Sequence, residues 1–144
     1  MEVPVQKRYA SSFIPYRRAP EGHFEVFLQK RTADSPTFPG FVGFFGGVRE
    51  LGEDAFQAMM REVLEELGYV PQNPIHVTAH DDGFMVKDVF VEEGGGSFEH
   101  DVVVMEGEYG RFYSEAQIVE IEKMQPKNRQ ILKQVFEFLS RPAA

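Results

Sequence analysis

The chain has 144 residues, 42% of them hydrophobic and 14 of them Phe, the size of one domain with a packed core rather than a disordered segment. Its formal net charge of -8 argues against holding a nucleic-acid backbone by bulk charge, yet permits a phosphorylated small molecule if metal ions supply positive charge. The absence of Cys excludes disulfides and thiol catalysis and suits a reducing, cytoplasmic setting, and no stretch approaches the roughly 20 apolar residues of a membrane span.

In chain order, "MEVPVQKRYASSF" lacks the apolar run of a signal peptide. "FEVFLQKR" (24–31) predicts a strand with apolar residues on both faces, hence a covered sheet. "TADSPTFPGFVG" (32–43) predicts a loop, and "FVGFF" a short strand entering Gly46-Gly47. Asp54 to Leu67 predicts a helix ended by Gly68. "IHVTAH" (75–80) and "MVKDVFVEE" (85–93) predict strands, with "GGGS" (94–97) a flexible turn. "DVVVME" (101–106) and "RFY" (111–113) read as further strand pieces. Ser114 with Gln117 matches a capping box, and "KNRQILKQVFEFL" after Pro126 is an amphipathic helix. Strands interleaved with a few helices predict a mixed sheet between helical layers.

The helix from Asp54 holds the informative chemistry. At 3.6 residues per turn, Phe56, Met59, Met60, Val63 and Leu67 share one face, with Glu62, Glu65 and Glu66 clustered beside it. Ala55 and Ala58 lie on the same side and leave room for something to approach. Like charges at i and i+4 oppose the helix, and anions near its C-terminus oppose the macrodipole. A solvated acidic face is one reading. A divalent-metal site is the other, because hard cations take oxygen ligands.

Spacing separates the two. From Gly47 through Glu53, Arg61, Glu62, Glu65, Glu66 and Gly68 to Tyr69, the segment resembles the Nudix box, the signature of the Nudix hydrolases. Tyr69 stands where that family usually has a bulky aliphatic residue, and Phe45 where it more often has Pro. The resemblance implies one Nudix domain over 1–144, an α/β (α+β) chain with a Nudix-type α/β/α sandwich and a mixed sheet. It implies a MutT-like pyrophosphohydrolase that cleaves a nucleoside diphosphate linked to another moiety, with Mg²⁺ or Mn²⁺. Glu62 and Glu66 would be the principal metal ligands, Glu65 a third, and Gly46 would offer its carbonyl. Glu53 and Arg61 would pair to hold the box loop on the helix, a structural role shared with Gly47 and Gly68.

Outside the box, "KRTAD" (30–34) resembles a MutT-like segment and points to Arg31 as a phosphate contact. "EGEYGRFYS" (106–114) resembles the stretch that brings one more glutamate to the metal, here Glu106, with Glu108 and Glu99 behind it. Either Glu106 or Glu65 would serve as general base. A partner would be a small nucleotide-type substrate, with a lean to nucleoside triphosphates, oxidised ones included, and with neither nucleic acid nor membrane. A homodimer is compatible with the resemblance. Phe13, Tyr16, Arg17, Arg18, "HDDGF" (80–84) and Phe112-Tyr113 are candidates for shaping specificity. His23, His76, His80 and His100 show no ligand spacing. The alternatives are a Nudix-like sensor that binds a nucleotide without cleaving it, and an unrelated calcium-binding or acidic interaction domain.

Overall fold

The structure, a computed structural model, describes residues 7–141. Among the described residues seven strands form one mixed sheet: β1 (Arg8–Arg18), β2 (Phe24–Lys30), β3 (Val42–Gly43), β4 (Phe45–Val48), β5 (Ile75–Asp81), β6 (Met85–Glu93) and β7 (Tyr109–Ser114). The helices are α1 (Ala55–Leu67), α2 (Phe98–Asp101), α3 (Glu115–Val119) and α4 (Pro126–Leu139). Every β-strand predicted on 24–31 and 75–93 is present, within a residue or two of the expected ends.

The sheet separates two cores. Alternation along β2 sends Val26 and Leu28 to one face and Phe27 to the other. The first face meets α4 through Ile131, Leu132, Val135 and Phe136, joined by Ile14, Val89 and Val91. The second meets α1 through Met59, Val63 and Leu67, joined by Phe13, Phe45 and Phe90. Phe13, Phe45 and Phe27 are fully enclosed there, which gives the aromatic-rich composition its main use.

The strand missing from the sequence reading is β1, the centre of the sheet. Ser11, Ser12 and Pro15 interrupt its apolar run, so no period is visible. It pairs in parallel with β6 from Arg8↔Met85 to Tyr16↔Glu93. On its other side it pairs with β4 over residues 10–13 and with β2 only over residues 16–18. The sheet therefore splits: β1 and β4 go one way, while β2 continues with β3 and β7. Buried Ser11 is satisfied by donating to the Ala55 carbonyl at 2.7 Å, so β1 fills the room beside Ala55 and Ala58.

One strand expectation is corrected. "DVVVME" is not a strand of the sheet: Asp101 ends α2, and residues 102–105 run extended without a strand partner. Their amides are used elsewhere, Val103 donating to the Leu67 carbonyl at 3.0 Å and Met105 to the Glu66 carbonyl at 2.7 Å. These are the carbonyls that a helix end leaves unpaired. Alternation survives: Val102 and Val104 pack on the α1-side core, while Val103 and Met105 are exposed.

Candidate active site

The box begins at β4. Gly46 has φ +133°, and a Cβ there would sit 2.0 Å from the Ser11 carbonyl oxygen, so only glycine allows β4 to lie this close to β1. At Gly47 the obstruction is the site itself: a Cβ would fall 2.7 Å from the Glu62 carboxylate. The loop then reaches α1, whose N-cap Asp54 forms a reciprocal capping box with Gln57. Gly68 ends the helix in the left-handed conformation.

Arg61 ties loop to helix. Its guanidinium makes a two-point contact with Glu53, at 2.7 and 3.0 Å, and donates to the Val48 carbonyl at 3.3 Å and to Glu62 at 2.8 Å. Glu65 is 3.5 Å from the same group. Hydrogen bonds from Arg61 hold Glu53 below the ordinary carboxylate value, and the carboxylates around Arg61 hold its pKa above the ordinary arginine value.

The three box glutamates sit in different surroundings. Glu65 is exposed. Glu62 is half-buried between Arg61 and Gly47. Glu66 is buried, 3% exposed, and accepts a hydrogen bond from the Gly46 amide at 3.0 Å. Gly46 thus meets the cluster through its N–H. Burial pushes the Glu66 carboxyl up to about 9, against the pull of the Gly46 amide, and the negative charges of Glu106 and Glu62 push the same way.

Glu106, forty positions beyond Glu66, follows on from a segment held on the α1 side: Val102 and Val104 pack there, and its neighbour Met105 donates to the Glu66 carbonyl. Three hydrogen bonds fix the turn: Met105 N–H to the Glu66 carbonyl, the Gln29 side-chain amide to the Glu106 carbonyl at 2.9 Å, and Glu108 N–H to the Lys30 carbonyl at 2.7 Å. Gly107 follows with φ +91°, where a Cβ would meet the Lys30 carbonyl oxygen at 2.8 Å. Gln29, 5% exposed, is a residue that the sequence reading missed. Its only sequence signal is a polar residue directly after the apolar run Val26, Phe27 and Leu28. Glu108 is 3.8 Å from Lys30, and Glu99 pairs with Arg17 at 3.0 Å.

Arg31 stands at the mouth of the split in the sheet, hydrogen-bonded to Ser35 and Thr37. Two hollows meet there. One, lined by Gln29, Arg31, Asp34, Glu106 and Gly107, lies toward the glutamates. The other is a cavity of about 190 Å³ inside the split, bounded by Ser12 of β1, Phe44, Gly46, Gly47, Lys87 of β6 and Asn128 of α4.

Most residues considered for specificity serve the fold instead. Phe13 and Phe112 are buried among core aromatics, and Tyr16 packs on Phe24. Arg17 stacks on Phe112 and pairs with Glu25 and Glu99, and Arg18 lies over Phe24. Asp81 and Asp82 of "HDDGF" cap the β5–β6 turn through the amides of Gly83, Phe84 and Met85.

The NUDIX domain model matches residues 8–135. The chain belongs to the NUDIX family. Among curated proteins no sequence matches it. Solved structures share the fold: a mutT/nudix family protein from Listeria innocua, with TM-score 0.77 and 17% identity, covers 92% of this chain and 94% of its own. A MutT structure from work on Aliivibrio salmonicida and Vibrio cholerae has TM-score 0.73 and 24% identity over 92% of this chain and 99% of its own. The NUDIX domain of Shewanella oneidensis NrtR, complexed with ADP ribose, has TM-score 0.73 and 15% identity over 94% of this chain and 90% of its own.

Membership makes the chain a Nudix pyrophosphohydrolase, a class that cleaves pyrophosphate bonds in nucleotide derivatives and generally uses divalent metal ions. No helix among the described residues is long and apolar enough to cross a membrane. The Tyr69 departure from the usual box has a partner: its hydroxyl donates to Glu92, a buried β6 carboxylate that also accepts from the Asn73 amide. An aliphatic residue at 69 would leave Glu92 short of a donor.

Proposed function

We propose that this Nudix protein hydrolyses a nucleoside di- or triphosphate, or a related nucleoside diphosphate derivative, with Mg²⁺ or Mn²⁺ held by Glu62, Glu66 and Glu106. The observation that carries the reading is Glu66: a buried carboxyl beside two more carboxylates, with glycines at 46 and 47 clearing the space in front of them. The donor set is all oxygen, as a hard divalent cation requires, and such a cation would supply the partner that the ionised form of buried Glu66 lacks. Among the described residues no three His, Asp or Glu side chains already close on one point, so binding has to draw the exposed Glu106 inward. Glu65, exposed and weakly held, is available as a further ligand, and the carbonyl of Gly46 as another.

When bound, the ion neutralises pyrophosphate charge and makes water a better nucleophile. The chain's own residues do the rest. Arg31 is placed to receive phosphate oxygens between the two hollows. Arg61 and Glu53 keep the loop and Glu62 in register. Glu106, on a turn held by Gln29, is positioned to take the proton from attacking water, with Glu65 the other candidate base. The hollow beside Glu106 then takes the phosphates and the cavity inside the split takes the base, where Phe41 and Phe44 offer aromatic surface.

A panel of nucleotides assayed for phosphate and pyrophosphate release, with Mg²⁺ and with excess chelator, tests the reading. Metal-dependent turnover that Glu66→Gln abolishes supports it. Turnover unaffected by chelator, or no turnover of any nucleotide, refutes it and favours a binding-only domain.

A further inference from the structure

The turn that carries Glu106 is held differently from the β5–β6 turn. There, Asp81 and Asp82 cap amides two or three residues away. Here the side-chain tether comes from Gln29, 77 positions earlier, whose Nε2 donates to the Glu106 carbonyl at 2.9 Å. Backbone contacts pin the chain on both sides of that bond. The Met105 amide is held by the end of α1 and the Glu108 amide by the Lys30 carbonyl, each at 2.7 Å. Gly107 lies flat against the tether: a Cβ there would sit 2.9 Å from Gln29 Cγ and 3.1 Å from its Nε2.

Gln29 is an unfavourable choice for packing alone. It follows Val26, Phe27 and Leu28, all enclosed, and alternation puts its side chain on the α1 face with Phe27. An amide buried there gives up water at its donors and acceptor, where Leu or Met would give up none. Among the described residues the Glu106 carbonyl is the single hydrogen-bond partner of that amide. The same end of β2 leads into Arg31, and Gln29 and Arg31 line both hollows. Three consecutive residues therefore set where Glu106 stands relative to the phosphate-facing arginine: Gln29 through its amide, Lys30 through its carbonyl, and Arg31 itself.

We propose that Gln29 is a positioning residue for proton transfer: with Gly107 it fixes the backbone of the turn, so that Glu106 reaches its working place by side-chain rotation alone. The torsions of a glutamate side chain can swing its exposed carboxylate inward while its carbonyl stays on Gln29. In the step served, water oxygen bonds to phosphorus and the bridging P–O bond breaks, its electron pair leaving with the departing phosphate. One water proton passes to the Glu106 carboxylate. The proposal rests on the reading of Glu106 as ligand and base.

Gln29→Met keeps length and loses the donor. The probe is whichever of GTP, ATP, CTP and UTP the wild type hydrolyses fastest with Mg²⁺. In Gln29→Met, kcat should fall about 10–100-fold while KM stays within about threefold, as for a displaced catalytic group. In a Glu106→Gln background the same change should cost less than about twofold more, because Gln29 acts through Glu106. Gly107→Ala, which pushes the turn off Gln29 from the other side, should show the same pattern. A melting curve checks the fold of each variant. Hydrogen exchange of the metal-free protein supplies a readout apart from turnover: the Met105 and Glu108 amides should exchange at least about tenfold faster in Gln29→Met, with those of Val26 to Leu28 unchanged. Adding Mg²⁺ to the wild type should leave both amides as protected as before. A raised KM with kcat kept, or a full loss that persists in Glu106→Gln, overturns the proposal. So does loss of Met105 protection on adding Mg²⁺, which would mean that the turn swings. Turnover lost in Glu66→Gln but kept in Gln29→Met would leave the hydrolase reading standing and remove the positioning role. If the wild type hydrolyses none of the four nucleotides, exchange still decides: unchanged Met105 and Glu108 amides in Gln29→Met overturn the tether.

Discussion

The two faces of the sheet bury ionisable groups of opposite kind, and neither group's charged form is matched by its own surroundings. On the α1 side, Glu66 is buried against Glu62 and Glu106 and its pKa rises to about 9. On the α4 side, Lys87 is partly buried without an ion pair and its pKa falls to about 8. Arg61, by contrast, gathers Glu50, Glu53, Glu62 and Glu65, and Arg17 gathers Glu25 and Glu99. The chain pairs charges where they serve the fold. The two unmatched sites flank the split in the sheet, where a nucleotide with its cation would supply the missing partners.

The largest expected effect comes from removing the buried anion. Glu66→Gln keeps size and the Gly46 contact but loses the charge, and steady-state turnover should fall by at least about 100-fold, since cation-assisted charge stabilisation is worth several kcal/mol. A rate within threefold of wild type would remove Glu66 from the metal site. The metal-free variant should remain folded.

The second effect is on stability, and it has opposite signs on the two faces. A carboxyl raised from 4.5 to about 9 binds a proton more tightly when folded. Its contribution is therefore most favourable below pH 4.5, declines as pH rises, and is a full penalty above about 9. A lysine lowered from 10.5 to about 8 is the mirror case: its penalty is complete below about 8 and is relieved as pH rises toward 10.5. Chemical denaturation of metal-free protein from pH 5 to 10 should show both windows. Glu66→Gln should erase the lower one, with a gain on the order of 2 kcal/mol at neutral pH, and Lys87→Met the upper one, with a gain of about 1–2 kcal/mol. Unchanged pH slopes in the variants would mean that these groups are not strained by burial.

A smaller effect tests how the box end is anchored. Tyr69→Leu restores the residue type usual in the box, yet should lower stability by about 1–3 kcal/mol, because Glu92 loses the Tyr69 hydroxyl inside the protein. Thermal melts of Tyr69→Leu with and without Glu92→Gln measure the coupling; full additivity would show that the contact does not matter. Smallest of all, exposed Glu65→Gln should cost activity roughly tenfold or less, well short of Glu66→Gln.

The sequence makes one face far more legible than the other. The box glutamates, Arg61 and the glycines share a short segment with fixed spacing, so pattern alone brings them to one helix and its loop. Glu106 was reachable only through resemblance, and its strand was misjudged: three valines in a row suggest a sheet, but the open partner was the end of α1. Lys87, Asn128 and Gln29 left almost no trace. Each is one polar residue among others in its element, with nothing in the pattern to single it out, and they meet only because β1 parts from β2 after three paired positions. That split depends on β1, whose two serines and proline hide its period. Gly47 is the instructive intermediate: its place in the box is legible, but its reason, the Glu62 carboxylate against its face, is visible only in three dimensions.

The central claim is that the anionic side holds a divalent cation through Glu66. Calorimetric titration of Mn²⁺ into the folded, metal-free protein at neutral pH tests it without reference to substrate. Wild type should bind Mn²⁺ and release a proton as Glu66 ionises, seen as a dependence of the binding heat on the buffer's ionisation enthalpy, while Glu66→Gln should bind at least about tenfold more weakly and release none. Equal Mn²⁺ affinity in the two proteins, with the same buffer dependence, would contradict the account.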